Sequence, residues 1–168
     1  MTYKSYYSKK QLLFLLTLRF LLGWHILYEG ISKVLNPQWS SIGFLQESQW
    51  ILSGFSRWII SNGQLLSMVD FLNTWGLVAI GLGIILGFLF KPATIAGSIL
   101  LLVYYLSAPP LVGLEYSVVT DGSNLIVNKI LIESVALFGL FLFPTNKTFG
   151  LDFFTSTIFK KHINGRGK

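Results

Sequence analysis

Long apolar stretches separated by short polar ones run along this chain, and the pattern favours helices that cross a membrane. About 20 mostly apolar residues are enough for a helix to span a bilayer. Four stretches reach that length, and the predicted spans are residues 11–31, 71–90, 92–112 and 124–143. Only Lys91 and Pro92 join the second span to the third, so these two should form a tight antiparallel hairpin with proline in the first helical turn.

Composition supports the same class of protein. The chain is 52% hydrophobic and only 12% charged, whereas a soluble domain carries about 25% charged residues. The sequence therefore predicts an all-α membrane protein, a four-transmembrane-helix antiparallel bundle. We assign residues 1–154 to this single domain and residues 155–168 to a basic tail.

The segment between the first two spans, residues 41–60, has an amphipathic pattern. Leu45, Phe55 and Trp58 share one helical face, and Arg57 lies on the other. Such a helix, anchored by tryptophan, suits the membrane interface. Two placements fit the pattern equally: along the membrane surface, or folded over the mouth of the bundle.

Several alternatives are disfavoured by particular residues. Lys9 and Lys10 precede an apolar run as in a signal peptide, but the run is long, carries ionisable residues and lacks a small-residue cleavage site. There is no cysteine, which excludes disulfides, iron–sulfur ligation and a thiol carried by this chain. With two histidines we expect no metal site, and we expect no covalently bound cofactor.

The net charge of +6 is best explained by topology. A basic balance would suggest nucleic acid in a soluble protein, but here we expect the lipid bilayer as the partner and no nucleic acid. In a four-span topology most basic residues fall on one side, and positive residues stay cytoplasmic. Both termini should then be cytoplasmic, in a bacterial-type inner membrane.

Polar residues inside the first span form its most distinctive feature. Arg19, His25, Glu29 and Lys33 fall within a sector of roughly 120° on a helix of 3.6 residues per turn. A charge at mid-bilayer costs at least about 2.5–3.5 kcal/mol, so such groups normally face protein or water. This sector should therefore face neighbouring helices.

The last span carries the matching groups. Counted from the inner span ends, Arg19 lies about 12 Å deep and Glu133 about 15 Å deep, so we predict a structural ion pair between them. Lys129 lies near the depth of His25 and Glu29, and it could meet either one.

Two interpretations of these charges compete. They are either structural pairs that fix which helices are neighbours, or groups that bind a polar head group and handle protons. The candidates for ligand binding or proton handling are His25, Glu29, Asn128 and Lys129. Trp24, Tyr104 and Tyr105 are candidates for flanking the ring of a ligand, although tyrosines near a span end also suit an interfacial belt.

The order of these motifs resembles one family. The first span has Arg19, Gly23, Gly30 and Lys33 in the pattern R-x3-G-x6-G-x2-K, and the second ends with Gly87 followed by Lys-Pro-Ala, which includes Pro92. The last span contains Asn124, Asn128, Lys129 and Glu133, and a Gly-Leu-Asp triplet follows it at residues 150–152. Together these are similar to DoxX/DoxD proteins, and the last span resembles the DoxD type in particular.

The resemblance implies a four-helix membrane bundle and a link to quinone chemistry, because the family is named for the small membrane subunit of thiosulfate:quinone oxidoreductase. A quinone-interacting subunit working with a second protein subunit, or as a homo-oligomer, is the first hypothesis. A non-catalytic membrane anchor for a redox or periplasmic enzyme is the second. A small proton-coupled carrier is the third, and one four-helix chain without an internal repeat fits it poorly.

Overall fold

The computed structural model describes residues 7–111, 126–146 and 148–152. Every regular element within these ranges is a helix. In chain order the helices are α1 (Lys9–Val34), α2 (Ile42–Gln46), α3 (Ser53–Ile60), α4 (Gly63–Leu86), α5 (Phe90–Ser107) and α6 (Lys129–Leu142). Of these, α1, α4 and α5 are long and apolar enough to cross a membrane.

Local capping explains where the long helices begin and end. Ser8 starts α1 through a reciprocal capping box with Gln11. The side chain of Asn62 accepts two backbone N–H groups at the start of α4, which therefore begins well before the predicted residue 71. Gly87 adopts a left-handed conformation with φ of 66° and ends α4 earlier than predicted.

The last two predicted spans also differ from the observed helices in where they begin. The hairpin turn is completed before Phe90, so α5 starts two residues before Pro92, which lies in its first turn as expected. α6 has 14 residues and begins after Asn128, whose side chain accepts the N–H of Leu131. The first residues of the predicted fourth span, and the basic tail, lie outside the described residues.

The single helix predicted over residues 41–60 is wrong. Two short helices, α2 and α3, take its place, with a turn between them. Leu45 and Ile59 are buried, but Phe55 and Trp58 are each 56% exposed. The predicted apolar face is thus divided: one part packs on the protein and the other points away from it.

The long helices pack in sequence order, and α1 and α6 close the arrangement. α1 packs against α4, α4 against α5, α5 against α6, and α6 against α1. The side chains at the centre of the core are fully buried: Ile84, Phe90, Leu137 and Leu140.

Glycines bring α1 and α4 into close contact. A Cβ at Gly30 would lie 2.7 Å from the backbone nitrogen of Val78, and one at Gly81 would lie 2.6 Å from that of Leu27. At Gly23 a Cβ would meet the side chains of Ile84 and Ile85. Small residues at such positions let membrane helices approach closely, so the glycines of the predicted motif form the α1–α4 interface.

The helix assembly has two different ends, the cap end and the latch end. The cap end is where α1 ends and α4 begins, and it carries α2 and α3. The latch end is the opposite one, where the described residues 145–152 fold back onto the α4–α5 turn. The latch segment means residues 145–146 and 148–152.

Candidate functional site

Among the described residues Arg19 is the most deeply buried charge, and it binds carbonyl and hydroxyl oxygens at the latch end. Its side chain is only 3% exposed. Nε donates to the Ile84 carbonyl at 2.6 Å and Nη2 to the Ile85 carbonyl at 2.9 Å. Nη1 donates to the Phe149 carbonyl at 2.6 Å and to Thr145 Oγ1 at 3.3 Å. Arg19 therefore binds the last turn of α4, whose carbonyls lack helical partners, and joins it to the latch segment.

Asp152 completes this joint from the other side. Its carboxylate accepts the backbone N–H groups of Leu89 at 3.0 Å and Phe90 at 3.2 Å, at the start of α5. Its own N–H donates to the carbonyl of Gly87 at 3.0 Å. A carboxylate at a helix N-terminus is stabilising, and its charge also attracts Arg19.

The predicted Arg19–Glu133 ion pair is wrong. Glu133 lies instead beside His25, with 3.5 Å between Oε1 and Nε2. Depth counted from helix rise fixes height, but it does not fix the direction in which a side chain points. Arg19 and His25 lie about 120° apart around α1, so Arg19 faces α4 while His25 faces α6.

A cavity of about 490 Å³ lies between the helices toward the cap end. Its polar lining includes seven residues: His25, Glu29, Lys33, Glu47, Asn128, Lys129 and Glu133. Leu77, Leu101 and Tyr104 provide apolar and aromatic surface. Five of the candidates named from sequence, His25, Glu29, Tyr104, Asn128 and Lys129, therefore line one cavity, together with Glu133.

Two charge pairs face this cavity. His25 pairs with Glu133, and Lys33 Nζ lies 3.2 Å from Glu29 Oε2 on the same face of α1. His25 and Glu29 thus each have another partner, and the pairing of Lys129 with either of them stays a prediction. Lys129 stays close enough to attract the charge of Glu133.

The cap-end side of the cavity is formed by α2 and its neighbours. Gly43, Phe44 and Glu47 line the cavity, and the Phe44 ring meets the Tyr104 ring edge-on at 5.5 Å. Asp70 holds the start of α2 by accepting both the N–H and the hydroxyl of Ser41. The sequence pattern did not identify Phe44 as a site residue. The one indication of its position was the alternative placement, in which residues 41–60 fold over the mouth of the bundle.

Two predicted ring-flanking residues do not line the cavity. Trp24 is 54% exposed and stacks on Phe20 on the outer surface of α1. Tyr105 is buried, and its hydroxyl donates to the Ile126 carbonyl at 2.7 Å. Tyr104 alone of the three lies at the cavity, where it accepts a hydrogen bond from Asn73.

The geometry suits a small ligand with an apolar ring and hydrogen-bond acceptors. Ligand cavities commonly measure about 300–1,000 Å³ and combine apolar walls with a few polar groups. Here the ammonium groups of Lys33 and Lys129 can donate, and His25 can donate or accept. Within the described residues, no cluster of three or more histidine and acidic side chains could hold a metal ion.

These features define a helical membrane protein with a polar cavity between its helices. The DoxX family model matches residues 14–109, and the chain belongs to the DoxX family. The match includes the motif residues of α1 and of the α4–α5 turn. No curated protein and no solved structure matches the chain.

Proposed function

We propose that this DoxX protein is a DoxD-like, quinone-interacting subunit of a membrane oxidoreductase, and that the cavity holds the quinone head group. The observation that carries the proposal is the cavity itself, in which ionisable groups lie beside Leu77, Leu101 and Tyr104. A quinone ring needs such an apolar slot, and its two carbonyl oxygens need donors. Ionisable groups inside a membrane protein are costly, and they commonly mark a functional site.

The proposal assigns roles to individual side chains. Lys129 and His25 donate to the quinone oxygens, and Asn128 orients Lys129 by capping α6. Tyr104 lies against the ring. Glu29 and Glu133 keep Lys33 and His25 in place and exchange protons with the ligand.

The proposal also includes an arrangement in the membrane. α6 crosses the bilayer as the fourth helix of a bundle, and the exposed Phe55 and Trp58 of α3 lie in the interface. Both termini face the cytoplasm of a bacterial-type inner membrane. The protein works with a second protein subunit or as a homo-oligomer. Because the chain has no cysteine, any sulfur transfer takes place on another subunit or at a non-covalent site.

A membrane anchor for a redox or periplasmic enzyme is the second candidate function. It is favoured by the apolar side chains that α3 and the preceding turn leave exposed: Ile51 is 62% exposed and Trp58 is 56% exposed. In that case these side chains dock a partner, and the cavity binds no quinone.

Quinone binding separates these candidates. The purified protein in lipid nanodiscs is titrated calorimetrically with a short-chain benzoquinone and a short-chain naphthoquinone. Leu101→Trp fills the cavity and should weaken binding by at least about tenfold, or about 1.4 kcal/mol. Leu102→Trp, one residue along on the exposed face of α5, should change affinity less than about twofold.

Ala108→Trp provides a second cavity-filling variant at a half-buried position, in case Leu101→Trp destabilises the core. Equal binding by wild type and both cavity variants would place the quinone elsewhere. No binding of either quinone to the wild type would favour the anchor.

A further inference from the structure

Four of the ionisable groups that line the cavity form a row that leads toward the cap end. His25, Glu29 and Lys33 are successive i, i+4 neighbours on one face of α1. The row climbs about 12 Å along the helix axis. Glu133 extends it inward through its contact with His25.

Side-chain exposure falls along this row from Glu29 inward. The Glu29 side chain is 47% exposed, that of His25 is 33% exposed, and that of Glu133 is 16% exposed. Lys33, at the cap end of the row, is only 14% exposed because it lies over the Trp39 ring. The decrease from Glu29 to Glu133 indicates that the row is reached at Glu29, in its cap-end half, with Glu133 innermost.

On the latch-end side the row stops at a tightly packed layer of mainly apolar side chains, in which the hydroxyls of Ser98 and Ser134 donate to each other's backbone carbonyls. Below Glu133 on α6, Leu137 and Leu140 are fully buried, and so are Ile84 and Phe90 on the neighbouring helices. On α1, Leu22 lies between Arg19 and His25 and is 8% exposed, and Ile26, the residue after His25, is 3% exposed. Close-packed apolar side chains leave no room for water.

Beyond this layer, Arg19 does not continue the row. Its donors are directed to carbonyls of α4 and to the latch segment, and an arginine cannot give up its proton in a protein. His25 and Arg19 are also separated by six residues, or about 9 Å of helix. No hydrogen-bonded path crosses that gap among the residues named here.

We infer that the cavity exchanges water and protons with the cap-end side only, and that the apolar layer and the Arg19 joint close it toward the latch end. The proton path runs from Glu133 through His25 to Glu29, the most exposed group of the row. For a quinone, this means that protons are gained and lost at the cap end, a consequence that rests on the proposed function. The closure itself holds for any ligand.

The absence of native cysteine allows a direct test by single-cysteine labelling. Ala108→Cys and Ile130→Cys place a thiol at the cavity on two different helices, and Ile84→Cys places one in the apolar layer. Gly54→Cys, on exposed α3, marks the cap-end side, and Lys10→Cys, at the start of α1, marks the other side. A membrane-impermeant thiol reagent is applied to right-side-out and inverted vesicles.

Ala108→Cys and Ile130→Cys should react at least about tenfold faster from the side that labels Gly54→Cys, because thiol labelling depends on access. Ile84→Cys should stay unlabelled from both sides. Labelling of either cavity cysteine at comparable rates from the Lys10→Cys side would overturn the inference. Two lining positions are used so that poor expression of one variant leaves the other decisive.

Adding the short-chain benzoquinone to the same vesicles separates this inference from the proposed function. Protection of the cavity cysteines supports both. One-sided labelling without protection supports the closure and contradicts quinone binding in the cavity. Two-sided labelling with protection contradicts the closure and supports quinone binding in the cavity.

Discussion

Replacing Arg19 with leucine is expected to destabilise the protein by about 3–5 kcal/mol, because several buried acceptors lose their donor and each such group costs about 1–3 kcal/mol. The guanidinium makes four hydrogen bonds to α4 and the latch segment, and it lies 4.9 Å from the centre of the Phe90 ring. Leucine would leave three carbonyls without their donor and Asp152 without the nearby positive charge. Thermal unfolding in detergent would measure the loss.

Arg57→Leu is the matched control. Arg57 is exposed, and its side chain donates only to the Ser53 carbonyl of its own helix, at 3.3 Å, so the change should stay within about 0.5 kcal/mol. The loss of stability in Arg19→Lys should lie between these two values, since lysine keeps the positive charge but lacks the planar guanidinium with its several donors. If Arg19→Leu unfolds at the same temperature as Arg57→Leu, the joint at the latch end is not stabilising.

The same variants distinguish the observed partners of Arg19 from the ion pair predicted by depth. An Arg19–Glu133 pair would make the double leucine variant recover stability relative to the worse single variant. With Arg19 bound to α4 and Glu133 bound to His25, the two losses should add to within about 0.5 kcal/mol.

Gly81→Ala is expected to have the second large effect, a loss of about 3 kcal/mol, at the upper end of the usual cost of overpacking. The added methyl group would lie 2.6 Å from the backbone nitrogen and 2.7 Å from the Cα of Leu27. Backbone atoms cannot rotate away, so α1 and α4 would have to separate. Their interface holds Arg19 and the α1 row in position, and cavity binding should weaken as well.

Gly76→Ala tests whether the effect comes from the contact. Gly76 lies on the same helix, but a methyl group there would have no atom within 4 Å. Alanine favours a helix over glycine by up to about 1 kcal/mol, so this variant should be as stable as wild type or slightly more so. Similar losses for both variants would show that helix packing at Gly81 is not the cause.

The sequence was sufficient to predict the features that depend on one helix at a time. Apolar length located the three long helices, and spacing placed His25, Glu29 and Lys33 on one face of α1. The glycines of the motif could be expected to pack against another helix because a missing side chain permits close approach. The ends of the helices depend on capping residues, and the left-handed conformation of Gly87 ends α4 before the predicted residue 90.

Contacts between segments were harder to predict, because depth and periodicity do not give the identity of the neighbour. The polar sector of α1 is wide enough to face two helices, and it divides between α4 and α6. The partners of Arg19 are mainly backbone carbonyls, which carry no signal in the sequence. The Gly-Leu-Asp triplet was noticed as a motif, but its return to the α4–α5 turn depends on the assembled fold.

The central claim, that the cavity holds a quinone head group, is tested most directly by a density map of the protein extracted in its native lipid. The expected result is planar density in the cavity beside Tyr104 and Leu101, with an oxygen within hydrogen-bond distance of His25 or Lys129. A cavity filled only by water or by a lipid acyl chain, in a preparation shown to contain quinone, would contradict the claim.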